Sequence, residues 1–269
     1  MLDQVAALIR EVAATVVLPR FRHLTAAEVS EKSPGDVVTV ADQESERALT
    51  AGLIRLLPDS VVVGEEAVAA DPAVLRGLDG DGAVWIVDPV DGTANYAAGR
   101  TPFAVMVGLL RDGVPAAAWI HDPVSGRMAV AEAGAGAYLD GVRVTVRTDD
   151  PGAGELRGAV GRSWFPDDLQ DRMAAGWDAF GAITDGHHCA GYEYPSVATD
   201  EQQFAMFWKV LPWDHVPGAL IVREAGGTVR HLDGTEYAPS RQGPGLLVAA
   251  NEDVWRTVHR TMFGDRPIR

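Results

Sequence analysis

The 269 residues carry 38 acidic against 23 basic side chains, a formal charge of -15, which repels polyanions and leaves no basic stripe for nucleic acid or an anionic membrane surface. A hydrophobic share of 47% is enough to bury a full core in one large domain or two packed halves. The single cysteine, Cys189, excludes an internal disulfide and paired-cysteine metal sites, so a reducing, cytoplasmic setting is expected.

The amino-terminal stretch sets Val5, Leu8, Ile9, Val12 and Val16 on one helical face, while Asp3, Arg10 and Glu11 interrupt any run long enough for a signal or a membrane span. This reads as a surface helix. Ser33-Pro34-Gly35 marks a turn, and helical spacing returns over 40–57 through Leu49, Leu53, Ile54 and Leu57, so helices dominate the first sixty residues. From Ser60 the texture changes to short β-branched or alternating runs, SVVVGEE, AVWIVDPVDG, PFAVMVGLL, PAAAWIHDP, RMAVAEAG and VRVTV, which predict a mostly antiparallel meander. Farther on, strands in LRGAVG, FAMFWKV, TVRHL and GLLVAAN alternate with helices over 167–180, 214–224 and 252–262. Pro151 is the expected seam between an α+β half, 1–150, and an α/β half, 151–269. No internal repeat or low-complexity tract appears.

The most informative segment is Trp85-Ile86-Val87-Asp88-Pro89-Val90-Asp91-Gly92-Thr93, an apolar strand from whose end two carboxylates leave together. Desolvating unpaired carboxylates is costly, and a hard cation such as Mg²⁺ offsets that cost through oxygen ligands. Upstream, Val61-Val62-Val63-Gly64-Glu65-Glu66 is a second strand ending in adjacent acids. Downstream, Asp214 stands where the N-cap of an apolar helix would be, ahead of Glu224-Ala225-Gly226-Gly227. Near the front, Thr39 and Asp42 open the second helix in a Thr-x-x-Asp capping pattern. Each piece alone has a structural explanation: turn, strand end, cap. The set, in this order, does not.

Together these segments closely resemble the inositol monophosphatase family, whose two signatures match Asp88-Pro89-Val90-Asp91-Gly92-Thr93-Ala94-Asn95-Tyr96 and Trp213-Asp214 through Gly218-Ala219 to Glu224-Ala225-Gly226-Gly227. The resemblance spans nearly the whole chain. It implies a layered α/β/α/β/α sandwich of the inositol monophosphatase and fructose-1,6-bisphosphatase type. It also implies a lithium-sensitive phosphomonoesterase holding two or three Mg²⁺ ions through Glu65, Asp88, Asp91, Asp214 and the Val90 carbonyl. Asp42 and Thr93 would correspond to the family's water-activating pair, with Glu65 beside them, and Gly92 and Thr93 would open a short helix toward the phosphate. The implied partners are a small phosphorylated metabolite and a second copy of the chain, with no nucleic acid or membrane.

The chain departs from the pattern on the substrate side. Members that prefer inositol phosphate place a glutamate seven residues before the metal-binding Asp of the second signature, and here that position is Phe207. Cys189-Ala190-Gly191-Tyr192-Glu193-Tyr194-Pro195 resembles the segment lining the substrate's far side, and Glu193 is the residue expected to replace the missing hydroxyl acceptor. Fructose-1,6-bisphosphate, histidinol phosphate, a 3′-phosphonucleotide or NADP are alternative substrates, and an inactive binding module is the alternative of another class. Phe207 and Trp208 are expected to pack within a strand, and Lys32 and Lys209 to face solvent. His187 and His188, as neighbours on a strand, would point to opposite faces and take no catalytic part, and neither would His215.

Overall fold

The computed structural model describes residues 1–149, 152–264 and 268. Strands Val61–Gly64, Ala83–Asp91, Ala104–Arg111, Val114–His121, Met128–Glu132, Gly136–Leu139 and Val142–Val144 lie side by side in chain order as a seven-stranded sheet. Only the first pair is parallel; the rest is the antiparallel meander that the alternating runs predict. A five-stranded sheet follows in the order Ala182–Thr184, Arg157–Val160, Phe204–Phe207, Leu246–Ala249, Thr228–His231.

Strand alternation builds the layers. Along Ala83–Asp91, Trp85 and Val87 face a core shared with Val5, Ile9, Leu49 and Leu53 of the helices Leu2–Val12 and Val40–Leu56. Val84 and Ile86 face the opposite core, shared with Tyr194 and Val197 of helix Ala190–Ala198 and Val216 and Leu220 of helix Pro212–Glu224. Those two helices therefore lie between the sheets. A third core, with Val160, Phe204, Leu169, Val254 and Val258, seats helices Asp167–Gly176 and Glu252–Phe263 on the outside of the five-stranded sheet. The result is the α/β/α/β/α sandwich expected from the resemblance.

Several local expectations need correction. The first sixty residues hold an antiparallel hairpin, Val29–Ser33 with Asp36–Thr39, turning where Ser33-Pro34-Gly35 predicts. Ile54, read as part of the apolar stripe, is exposed, because the helix presents Leu49 and Leu53 to the sheet. Glu65 and Glu66 open a short helix, Glu65–Ala70, instead of fraying as a strand end. His187 and His188 lie in a loop ahead of Ala190–Ala198, not on a strand. The seam expected at Pro151 lies outside the described residues.

Candidate active site

Asp88 follows Val84 and Ile86 at even spacing, so it belongs to the strand face turned toward the middle layer, and it is 2% exposed. The pairing with Ala104–Arg111 shifts register between Asp88 and Asp91, a bulge after which Asp91 pairs with Ala104 and the strand ends. Asp88 braces the exit by accepting from the Val90 backbone N–H at 3.1 Å. Gly92 completes it with φ 83°, a left-handed conformation at the start of the helical turn Thr93–Ala97. A Cβ at Gly92 would sit 3.1 Å from the Pro102 carbonyl oxygen, so there is little room for a side chain.

The Thr39–Asp42 capping box forms as the sequence suggests: Asp42 Oδ2 accepts from the Thr39 N–H at 2.8 Å and the Thr39 hydroxyl at 2.5 Å. The same carboxylate does a second job. Its Oδ1 stands 3.0 Å from Thr93 Oγ1, which lies 2.8 Å from the Val90 carbonyl oxygen. A capping residue 51 positions away is thereby joined to the acid turn. Asp42 is fully buried, and burial pushes its carboxyl up to about 7 against the pull of Thr39 and Thr93.

Asp214 is not an N-cap. Pro212 starts the helix two residues earlier than expected, Leu211 takes the cap position, and Asp214 sits in the first turn among the other acids. Burial first, then Asp91 and Glu65, raise its carboxyl, which also shares a hydrogen bond with Asp88. Asp88 is raised by burial and by Glu65, Asp91, Asp214 and Asp42 around it. Asp91 is raised to about 6, burial outweighing donors from the Cys189 thiol at 3.0 Å and the Gly191 N–H at 2.6 Å.

Lys32 is not a solvent-facing lysine. It reaches Glu65 at 2.7 Å and Glu66 at 2.6 Å. Burial would lower its ammonium, but the two glutamates outweigh that and hold it above the ordinary lysine range. Glu46, which the sequence reading did not single out, is 6% exposed and accepts from the Glu66 and Ala67 N–H groups at 2.7 and 2.8 Å. It caps the helix that carries Glu65. Its only sequence signal is an acid at a core-facing position of a helix, next in space to Gly64, where a Cβ would collide with its carboxyl carbon at 2.3 Å.

Glu193, expected to meet substrate hydroxyls, is already engaged. Its Oε1 receives the His187 N–H at 2.7 Å and faces His187 Nδ1 at 2.9 Å, and its Oε2 receives Gln202 Nε2 at 2.6 Å. His215 is fully buried: its Nε2 donates to the Lys209 carbonyl, which leaves Nδ1 to accept from the Tyr194 hydroxyl. Burial lowers it to about 4, so it is a neutral packing group. Lys209 is exposed, as expected.

Glu65, Asp88, Asp91 and Asp214 thus form one electrostatic cluster of oxygen donors, the set that suits a hard dication. Among the described residues no three His, Cys, Asp or Glu side chains close on a single point. Glu65 turns to Lys32, and Asp91 to Cys189 and Gly191. The chemistry of the donors fits a cation; Asp88, Asp91 and Asp214 take part in none of the ion pairs formed among the described residues.

The inositol monophosphatase family model matches residues 1–262. The chain belongs to the inositol monophosphatase family. It is 31% identical over 225 residues to the chloroplastic phosphatase IMPL1 of Arabidopsis thaliana, a match covering 78% of this chain and 57% of that protein's length. It is 30% identical over 260 residues to the Nus factor SuhB of Pseudomonas aeruginosa, covering 93% and 91%. The solved inositol monophosphatase II of Staphylococcus aureus overlays at a TM-score of 0.79 with 25% identity, over 96% of this chain and 90% of that one. Structures of SaIMPase-II with inositol monophosphate and with 2′AMP bound share the fold at TM-scores of 0.78 and 0.77 and 23% identity. No helix among the described residues is long and apolar enough to cross a membrane.

Proposed function

We propose that the chain is a Mg²⁺-dependent phosphomonoesterase acting on the phosphate ester of a small metabolite. One observation carries this reading: acids from one strand end and two helix starts gather beside a threonine whose hydroxyl is tied to a buried, raised carboxyl. Glu65, Asp88, Asp91, Asp214 and the Val90 carbonyl would hold the cations, two or three by family pattern. The bound cations would neutralise phosphate charge and lower the pKa of the attacking water. The chain's own groups account for the proton: the Thr93 hydroxyl orients it, and Asp42, poised at about 7, accepts it through Thr93. Glu65 is proposed as the third catalytic group, with Lys32 holding its carboxylate until the cation competes for it. Asp91, Gly92, Thr93, Glu193 and Asp214 are the proposed substrate-side residues, Glu193 by fixing the His187 loop.

Phosphate release from a panel of small phosphate esters, with and without Mg²⁺, tests the reading. Activity that needs Mg²⁺ and falls at least about 10²-fold in Asp91→Asn or Asp214→Asn is expected; full activity in either variant would sink the assignment. The lithium sensitivity and the homodimer are proposed on the same family pattern, the cytoplasmic setting on the single cysteine, and the division at 150/151 on the change of texture at Pro151. The two sheets fall on either side of that division, which supports it. A second reading, a binding module without turnover, is favoured by the naming of a relative as a Nus factor. Silence across the panel with Mg²⁺ present would select it.

A further inference from the structure

Beyond the acids, a cavity of about 220 Å³ opens between the middle-layer helices and the end of strand Phe204–Phe207. Asp91 and Asp214 line its floor, and Trp164, Phe207, Trp208 and His188 line its walls. Phe207 is fixed in plane: its ring is stacked on fully buried Tyr194 at 5.4 Å and 7°, and meets His215 edge-on at 4.9 Å. Trp208 leans on Phe165 at 5.6 Å. Trp164 sits at the rim 60% exposed, an unusual position for a large indole unless something covers it.

Asp185 and Lys209 also line this cavity, and the aromatic side of its wall is where hydroxyl acceptors are scarce. Both carboxylate oxygens of Glu193 are committed to His187 and Gln202, and position 207 is an aromatic ring. A polyol seated here would turn several hydroxyls toward aromatic faces and lose their hydrogen bonds to water. A flat ring would meet flat faces already held in place. The volume lies below the roughly 300–1,000 Å³ of pockets for drug-sized ligands, so it suits one ring and not a dinucleotide.

Resting on the hydrolase reading above, we propose that the preferred substrate is a phosphate monoester of an alcohol that carries a single planar ring, gripped between Trp164, Trp208 and Phe207, and not a polyol phosphate. The ring lies in the aromatic cavity while the phosphate reaches the acids on its floor.

Steady-state kinetics with benzyl phosphate against inositol 1-phosphate and glycerol 2-phosphate test the proposal, since these alcohols are comparable leaving groups and the ratio of kcat/KM reports the ring. A ratio of about tenfold or more in favour of the benzyl ester is expected, falling toward 1 in Trp164→Ala and partly restored in Trp164→Phe. Polyol esters turned over as well as the benzyl ester would overturn the ring preference while leaving the hydrolase reading intact. A second measurement does not depend on turnover: the indole N–H resonance of Trp164, assigned with Trp164→Phe, should shift saturably with benzyl alcohol and not with glycerol. An unmoved resonance overturns the proposal even in an active enzyme; a shifting one in a protein that hydrolyses nothing upholds the ring site and sinks the hydrolase reading.

Discussion

Asp91→Asn should change stability and activity in opposite directions. In the metal-free protein the Asp91 carboxyl stands at about 6 against an ordinary 3.8, because burial outweighs its donors. Two units correspond to roughly 3 kcal/mol by which folding disfavours the ionised form. The sign follows from proton binding. Below about pH 4 the group is protonated both folded and unfolded, and the penalty is absent. Between about 4 and 6 the folded chain keeps a proton that the unfolded chain has released, so stability falls as pH rises; above about 6 the penalty is complete. Asparagine carries no such penalty, and its side-chain oxygen can still accept from the Cys189 thiol and Gly191 N–H, whose present contacts are 3.0 and 2.6 Å. Because neighbouring acids relax together, about 1–3 kcal/mol of gain is expected at pH 8, a rise in Tm of about 2–10 °C, shrinking to nothing near pH 4. Calorimetry in EDTA at the two pH values measures it. A variant that melts lower than the parent at pH 8, or a gain independent of pH, would refute the claim that the acid cluster is electrostatically strained.

Gly218→Ala should destabilise by about 1–3 kcal/mol despite alanine's better helix propensity, since its Cβ would fall 2.1 Å from Cγ of buried Tyr194; an unchanged urea midpoint would contradict that contact. Because Tyr194 backs Phe207, the same variant should also raise KM. Glu46→Ala removes the acceptor for two backbone N–H groups under Glu65, and faster amide exchange at Glu66 and Ala67 is expected; unaltered exchange would mean that water replaces the carboxylate at no cost. Lithium at millimolar concentration should inhibit Mg²⁺-dependent turnover, and insensitivity would count against the proposed placing of the second ion by Asp88, Asp91 and Asp214.

Periodicity and turn chemistry carry a long way in this chain. The unbroken apolar run over 83–87, closed by Asp88, makes the strand legible, and the fold then sets Trp85 and Val87 against one core and Val84 and Ile86 against the other. The capping box at Thr39 and Asp42 forms within the four residues of one helical turn and needs no tertiary help. The two signature segments announce the family, because each motif is a run of residue types written contiguously in the sequence.

What the sequence determined, then, are the properties that depend on neighbours within a few positions: strands, caps, turns and the identity of the acids. Tertiary structure decided the rest, because electrostatics and burial act through space. Only folding brings Asp42 to Thr93, sends Lys32 into the glutamates, puts Glu46 beneath the helix of Glu65 and occupies Glu193 with His187 and Gln202. A residue's neighbours along the chain do not reveal how far its charge stands from water, and it is that distance which raises the carboxyls of Asp42, Asp88, Asp91 and Asp214.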